Sequence, residues 1–499
     1  MTDIDPKAFD GNVDSLEEVQ IRENKLKRIP ENGFSSLCNL LTVIITNDEI
    51  DQIDDYTFSS WCSKETLQKL DLSANKLTTV PQYGFAGLQS LKQLSLDKNL
   101  FSNIPVEAVK QLSSLEELSM SVNKISTVPP RSLPLSNLKS LSFEANQISF
   151  ISGDTFLETP KLMHLYLGGN QFRTIDPKMF QHITHLKVLT MGNNRNIQAL
   201  YADTFSYAQS LIRLELADCL ITHIESGSLQ KLSKLQVIVL RNNQLKHIDG
   251  TTFSSLQKLV SVDIRDNKIE SLDDFTFSKL PSLMHLDISG NRLQSLPKNI
   301  FYDTFRSTNP VRLLCIADNP WACNEDLQWF REWLRHNNDV LISAPGKKPA
   351  SCRSPPHLNG LDMRLTEPIT ETTIPTTQKA LKKTDELAKT TVATKDDYRQ
   401  SQMYEKNNIS RFHKWNKTTN PVAEFQPQMI NFPTASETET SHAAVLVLVL
   451  GTKNYFPLLL KYFTFGLLQQ FNHINCKTQN CILEIKFRKK FRNIKPQTL

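Results

Sequence analysis

One phrase, L-x-x-L-x-L-x-x-N-x-L-x-x-I/L/V, returns about a dozen times between Leu16 and Trp321 of this 499-residue chain. One copy reads Leu91, Leu94, Leu96, Asn99, Phe101, Ile104, and the next reads Leu115, Leu118, Met120, Asn123, Ile125, Val128. The first leucines of successive copies are mostly 24 residues apart, as from Leu138 to Leu162 and from Leu235 to Leu259. A fixed internal period decides the fold before any local assignment. Within a copy, L-x-L has the period of two of a short strand with one buried face. One such unit cannot bury its own leucines, so neighbours must stack into a continuous core.

Two further spines follow the same period. An asparagine recurs at the ninth position, from Asn24 and Asn75 through Asn99, Asn123 and Asn146 to Asn319. A buried turn leaves backbone groups to be paired, and an amide carries both donors and acceptors for them. Asp48 and Cys219 replace the asparagine in two copies; Asp48 still offers acceptors. A phenylalanine spine (Phe34, Phe58, Phe85, Phe156, Phe180, Phe205, Phe253, Phe277) lies in the outer half of the units and is expected to be core. The longest steps are Leu40 to Leu67 and Leu283 to Val311.

The phrase resembles the extracellular, 24-residue class of leucine-rich repeat. The resemblance implies an α/β repeat solenoid, a curved horseshoe with a parallel sheet on its concave side, and a binding surface in place of a catalytic centre. Asp318-Asn319-Pro320-Trp321-Ala322-Cys323, then Trp329, Trp333 and Leu334, then Cys352, Pro355, Leu358 and Gly360, is similar to the C-terminal cysteine cap of Slit-like, Toll-type and acid-labile-subunit-like proteins. The cap implies a Cys323–Cys352 bridge. Glu325 stands where such caps carry a second early cysteine, and no cysteine follows Gly360 as their fourth. Cys315 is then left over, pointing outward from the last strand.

Cys38 and Cys62 each lie four residues after a spine phenylalanine, so they occupy equivalent places in adjacent coils. Adjacent coils are about 5 Å apart, within the reach of a disulfide; two buried thiols are the alternative. Bridges persist outside the reducing cytosol, which points to an extracellular or cell-surface protein. Lys+Arg 57 against Asp+Glu 52 is close to balance, and no basic stripe follows the repeats, so nucleic acid is not an expected partner.

The chain divides into a partial repeat (1–15), the array (16–318), the cap (319–365), a Thr/Lys/Ser-rich stalk expected to be disordered (366–441), and a short apolar run with a basic tail (442–499). Ile4-Asp5-Pro6-Lys7-Ala8-Phe9 is the second half of a repeat, with no signal peptide before it. The natural protein is therefore expected to extend upstream. The stalk carries two glycosylation sequons, at Asn408 and Asn416. Ala443–Leu450 is apolar but shorter than the roughly 20 residues of a membrane span; a single-pass anchor is expected to begin near Ala443.

The residues flanking the strand leucines form the concave face. Its N-terminal half is polar and slightly acidic: Glu18, Lys69, Asp71, Asp97, Glu117, Glu144. In the middle, His164, Tyr166, Val188, Val237 and Val239 are expected to face solvent, bordered by Arg213, Glu215, Arg241, Asp263 and Arg265. An apolar centre edged with charge suits a protein ligand, with Tyr166 and Arg241 as anchors. His285, Asp287 and Asp263 can meet, but with no pocket or nucleophile beside them; no enzyme, cofactor or metal is expected, and no phosphate loop or H-E-x-x-H occurs. The reading is a receptor or adhesion protein holding a protein ligand or co-receptor. Behind it stand a secreted subunit stabilising a soluble partner and an intracellular scaffold.

Overall fold

The computed structural model describes residues 1–5, 7–9, 15–304, 312–337, 340–343 and 349–366, and the backbone of two further strands, Ala443–Leu450 and Cys481–Arg488. The chain forms two compact units. The first takes Met1–Ile197, Asp203–Leu216 and Glu437–Leu499, and the second Gln198–Ala202 and Ala217–Ser436. Each is a parallel-strand solenoid with little helix.

In the first unit the strands are mostly three residues long, such as Gln93–Ser95, Glu117–Ser119 and His164–Tyr166. They stack in register on their central leucines: Leu70 with Leu94, Leu94 with Leu118, Leu118 with Leu141, Leu141 with Leu165, Leu165 with Leu189. These leucines are buried, while the residue on either side points to the opposite, open face. The second unit repeats the arrangement through Val237–Val239, Ser261–Asp263, His285–Asp287, Arg312–Cys315 and Val340–Leu341.

The asparagine ladder joins coil to coil. Asn99 Oδ1 accepts the Leu77 backbone N–H at 3.0 Å, and its Nδ2 donates to the carbonyls of Leu72 (3.0 Å) and Leu96 (3.1 Å). Asn123, Asn146 and Asn170 repeat this set in the first unit, and Asn267 and Asn291 in the second. The residue before each ladder position is left-handed: Lys98 has φ 52°, Val122 55° and Asp266 54°, with glycine only at Gly169 and Gly290. The amide bonds on both sides hold the turn in that conformation against its cost.

All eight spine phenylalanines are fully buried, and neighbouring rings pack against each other, Phe58 with Phe85 and Phe253 with Phe277 at centroid distances of 6.2 and 5.7 Å. The long step at Leu40–Leu67 accommodates Trp61, wedged edge-on between Phe34 and Phe58 (4.7 and 4.9 Å). Beside it Cys38 and Cys62 form a disulfide, with their Cα atoms 4.5 Å apart.

The helix Gln328–His336 covers the last coil of the second unit, burying Phe330, Arg331 and Leu334. Trp321 Nε1 donates to the Ile316 carbonyl at 2.8 Å, and Arg331 Nη1 to that of Cys323 at 3.2 Å. Cys323 and Cys352 are bridged, with Cα atoms 5.6 Å apart.

Two expectations need correction. Ala443–Leu450 does not begin a helix. It is a strand paired antiparallel with Cys481–Arg488, which in turn pairs with Leu16–Arg22 in the first unit. Its alternating valine and leucine favour an extended chain, since β-branched residues suit strands. Among the described residues no helix is long and apolar enough to cross a membrane. Cys315 does lie on the open face, as the register partner of Asp287, but it is buried (4% exposed). The stalk after Thr366 and the sequons at Asn408 and Asn416 lie outside the described residues.

Candidate functional site

In each unit the open face of the strands carries side chains singled out for ligand binding. In the first unit, strand register sets His164, Val188 and Arg213 in one row and Tyr166, Thr190 and Glu215 in the next. Arg213 Nη2 donates to Glu215 Oε2 at 2.8 Å along its own strand. Thr190, which no feature of the repeat phrase singles out, donates to Glu144 Oε1 at 3.4 Å. Further along the face, Asp97 Oδ1 accepts the Ser119 hydroxyl (2.5 Å) and the Ser121 backbone N–H (2.6 Å).

These groups are partly withdrawn from water. Burial, with smaller contributions from Glu144 and Glu117, pushes the Tyr166 phenol up to about 12. Burial, and then Lys187, lowers the His164 imidazole. Burial also raises the carboxyls of Asp97, Glu117 and Glu144, against hydrogen bonds that pull them back. Polar groups already stripped of part of their hydration lose less on meeting a partner, provided the partner offers matching donors.

In the second unit, Val237, Ser261 and His285 make one row, and Val239, Asp263, Asp287 and Cys315 the next. Val237 and Val239 do not face solvent as expected. They are 6% and 5% exposed and cluster with Ala217. Strands about 4.8 Å apart let compact β-branched side chains close over one another even on an open face. Asp263 is likewise buried, and its carboxyl rises to about 6 through burial and Asp287, opposed by Arg265 and Arg241. Arg241 Nη1 stands 3.6 Å from Asp263 Oδ2, and Arg265 lies between Asp263 (3.8 Å) and Asp287 (3.5 Å). The two arginines remain partly exposed above the buried carboxylates. His285, Asp287 and Cys315 bring a nitrogen, an oxygen and a sulfur ligand atom within 4.8 Å of one another. The sequence alone does not place Cys315 with the other two, because that requires the register across the longest step of the array.

Two family profiles match the chain: "BspA type Leucine rich repeat region (6 copies)" over residues 2–131 and "Leucine rich repeat" in four matches within residues 136–304. Together they cover more than half of it, and the chain belongs to the leucine-rich repeat family. Among curated proteins it is similar to Tsukushi of Gallus gallus, 30% identical over 21% of this chain and 29% of that protein. It is also similar to Reticulon-4 receptor-like 2 of Rattus norvegicus, 35% identical over 19% of this chain and 22% of that protein. The chain thus spans less than a third of the length of either relative. Among solved structures, a Leptospira interrogans leucine-rich repeat protein superposes with a TM-score of 0.54 at 23% identity, over 64% of this chain and 76% of the other.

Proposed function

We propose that this chain is a receptor or adhesion protein that holds a protein ligand on the open face of its sheet. The contact on the first unit is Tyr166 with His164, Val188, Arg213 and Glu215. On the second unit Arg241 and Arg265 present the charge, oriented by Asp263, while Val237 and Val239 pack beneath and stiffen the surface. The observation that carries the reading is the state of Tyr166: a large aromatic side chain, partly withdrawn from water and bordered by Glu144, Glu117 and Arg213. Aromatic and arginine side chains at a desolvated centre with a charged border are the usual anchors of protein interfaces. The two disulfides support a secretory route, and the similarity to a receptor-like relative agrees with it. The division into array (16–318) and cap (319–365) belongs to the same proposal.

The test is to screen the full chain against an array of secreted proteins and cell-surface ectodomains, in parallel with a Tyr166→Ala, Arg241→Ala double variant of equal thermal stability. A partner bound by the first and weakened at least tenfold by the second supports the reading. Partners bound equally by both would place recognition elsewhere.

A further inference from the structure

We propose that His285, Asp287 and Cys315 form a zinc-type divalent metal site on the open face of the second unit. The residues come from two adjacent parallel strands. Asp287 and Cys315 are register partners, and His285 precedes Asp287 by two residues, so all three side chains leave the same face. Their ligand atoms all lie within 4.8 Å of one another. Ligands of a tetrahedral zinc, with bonds of about 2.0–2.3 Å, stand roughly 3.5 Å apart. Small side-chain rotations on a fixed pair of strands close the difference.

The surroundings prepare each ligand. Ser261 Oγ is hydrogen-bonded to His285 Nδ1 at 3.0 Å, which leaves Nε2 as the ligand atom. Asp287 Oδ1 is taken by the Ser289 backbone N–H (3.0 Å) and hydroxyl (2.5 Å), which leaves Oδ2. Such outer hydrogen bonds orient the ligands of metal sites. Leu313, the register partner of His285, is buried on the same face and supplies an apolar flank. Cys315 belongs to neither disulfide. One nitrogen, one carboxylate oxygen and one sulfur favour Zn²⁺ over Mg²⁺ or Ca²⁺, which prefer oxygen alone. Water or another small ligand would complete the fourth position. Binding converts the Cys315 thiol to thiolate and releases its proton to the buffer. Arg265 Nη1, 3.5 Å from Asp287 Oδ2, is the competing cation; Asp263 and Asp266, each 3.8 Å from its Nε, remain to hold it when a metal takes Asp287.

The experiment titrates the full chain, disulfides intact, with Co²⁺ as the spectroscopic probe and then with Zn²⁺. A thiolate-to-cobalt charge-transfer band with tetrahedral d–d bands is expected at one equivalent, bleached by Zn²⁺. Cys315→Ser should abolish the band, whereas Cys219→Ser and a Cys476→Ser, Cys481→Ser variant should keep it. His285→Gln, which retains the thiol, should weaken Co²⁺ binding at least tenfold and so decides the matter if Cys315→Ser does not fold. No band in the unaltered chain, a band that survives Cys315→Ser, or unchanged affinity in His285→Gln would each overturn the proposal.

Discussion

Asp48 Oδ1 accepts the Leu26 backbone N–H at 3.1 Å, the bond that asparagine makes in the coils that follow, while Asp48 Oδ2 is buried with no hydrogen-bond partner. In the other coils an Nδ2 group at that place donates to backbone carbonyls. A carboxylate there turns an acceptor where a donor is needed, and only its protonated form supplies one.

Stability should therefore depend on pH through this residue. Burial, opposed by the Leu26 N–H, raises the Asp48 carboxyl to about 6 from its ordinary 3.8. A folded-state value above the unfolded one gives stability that is full below about 3.8 and lost as pH rises through about 6. Asp48→Asn should remove this loss and stabilise the chain at pH 7.5 by on the order of 1–2 kcal/mol. Urea unfolding of both proteins from pH 4 to 8 measures it; parallel curves would refute the account.

Replacing a ladder asparagine outright should cost more. Asn123 Oδ1 accepts the Phe101 N–H, and its Nδ2 donates to the carbonyls of Leu96 and Met120, all buried. Asn123→Ala leaves those groups unpaired and should destabilise by roughly 2–4 kcal/mol. The exposed Asn103→Ala serves as control and should change the urea midpoint little.

Val122 tests the backbone cost of the turn. It is a β-branched residue at φ 55°, with 47% of its surface exposed. Asparagine tolerates the left-handed region far better. Val122→Asn should raise stability by about 0.5–1 kcal/mol, read as an upward shift in melting temperature; a downward shift would show that its side chain contributes packing that exposure conceals.

The valines of the second unit separate packing from recognition. Because Val239 is buried against Val237 and Ala217, Val239→Ala should cost about 1–2 kcal/mol of stability. A solvent-facing valine would cost close to nothing. Calorimetry of this variant beside Tyr166→Ala shows whether the two residues play the different parts assigned to them.

Much of this was legible in one dimension because the repeat is periodic. The inward side of Leu94, the stacking of Phe58 on Phe85 and the place of Asn99 each follow from a single copy of the phrase and its return after about one coil. The Cys38–Cys62 pair was legible for the same reason, since equivalent positions in neighbouring coils must be neighbours in space. Ala443–Leu450 misled because an apolar run of that length carries no period that separates strand from helix.

The amino-acid sequence by itself determined the strand period, the buried leucine, asparagine and phenylalanine spines and the cap, since each is dictated by short-range spacing and the need to bury apolar area. Only the tertiary structure decided how exposed the open face is and which of its groups meet. Val237, Val239, Asp263 and Cys315 lie on that face and are nonetheless buried. Asp287 meets Cys315 because parallel register aligns them across a step longer than the common 24 residues. Burial and register across coils are properties of the stack, and no single repeat contains them.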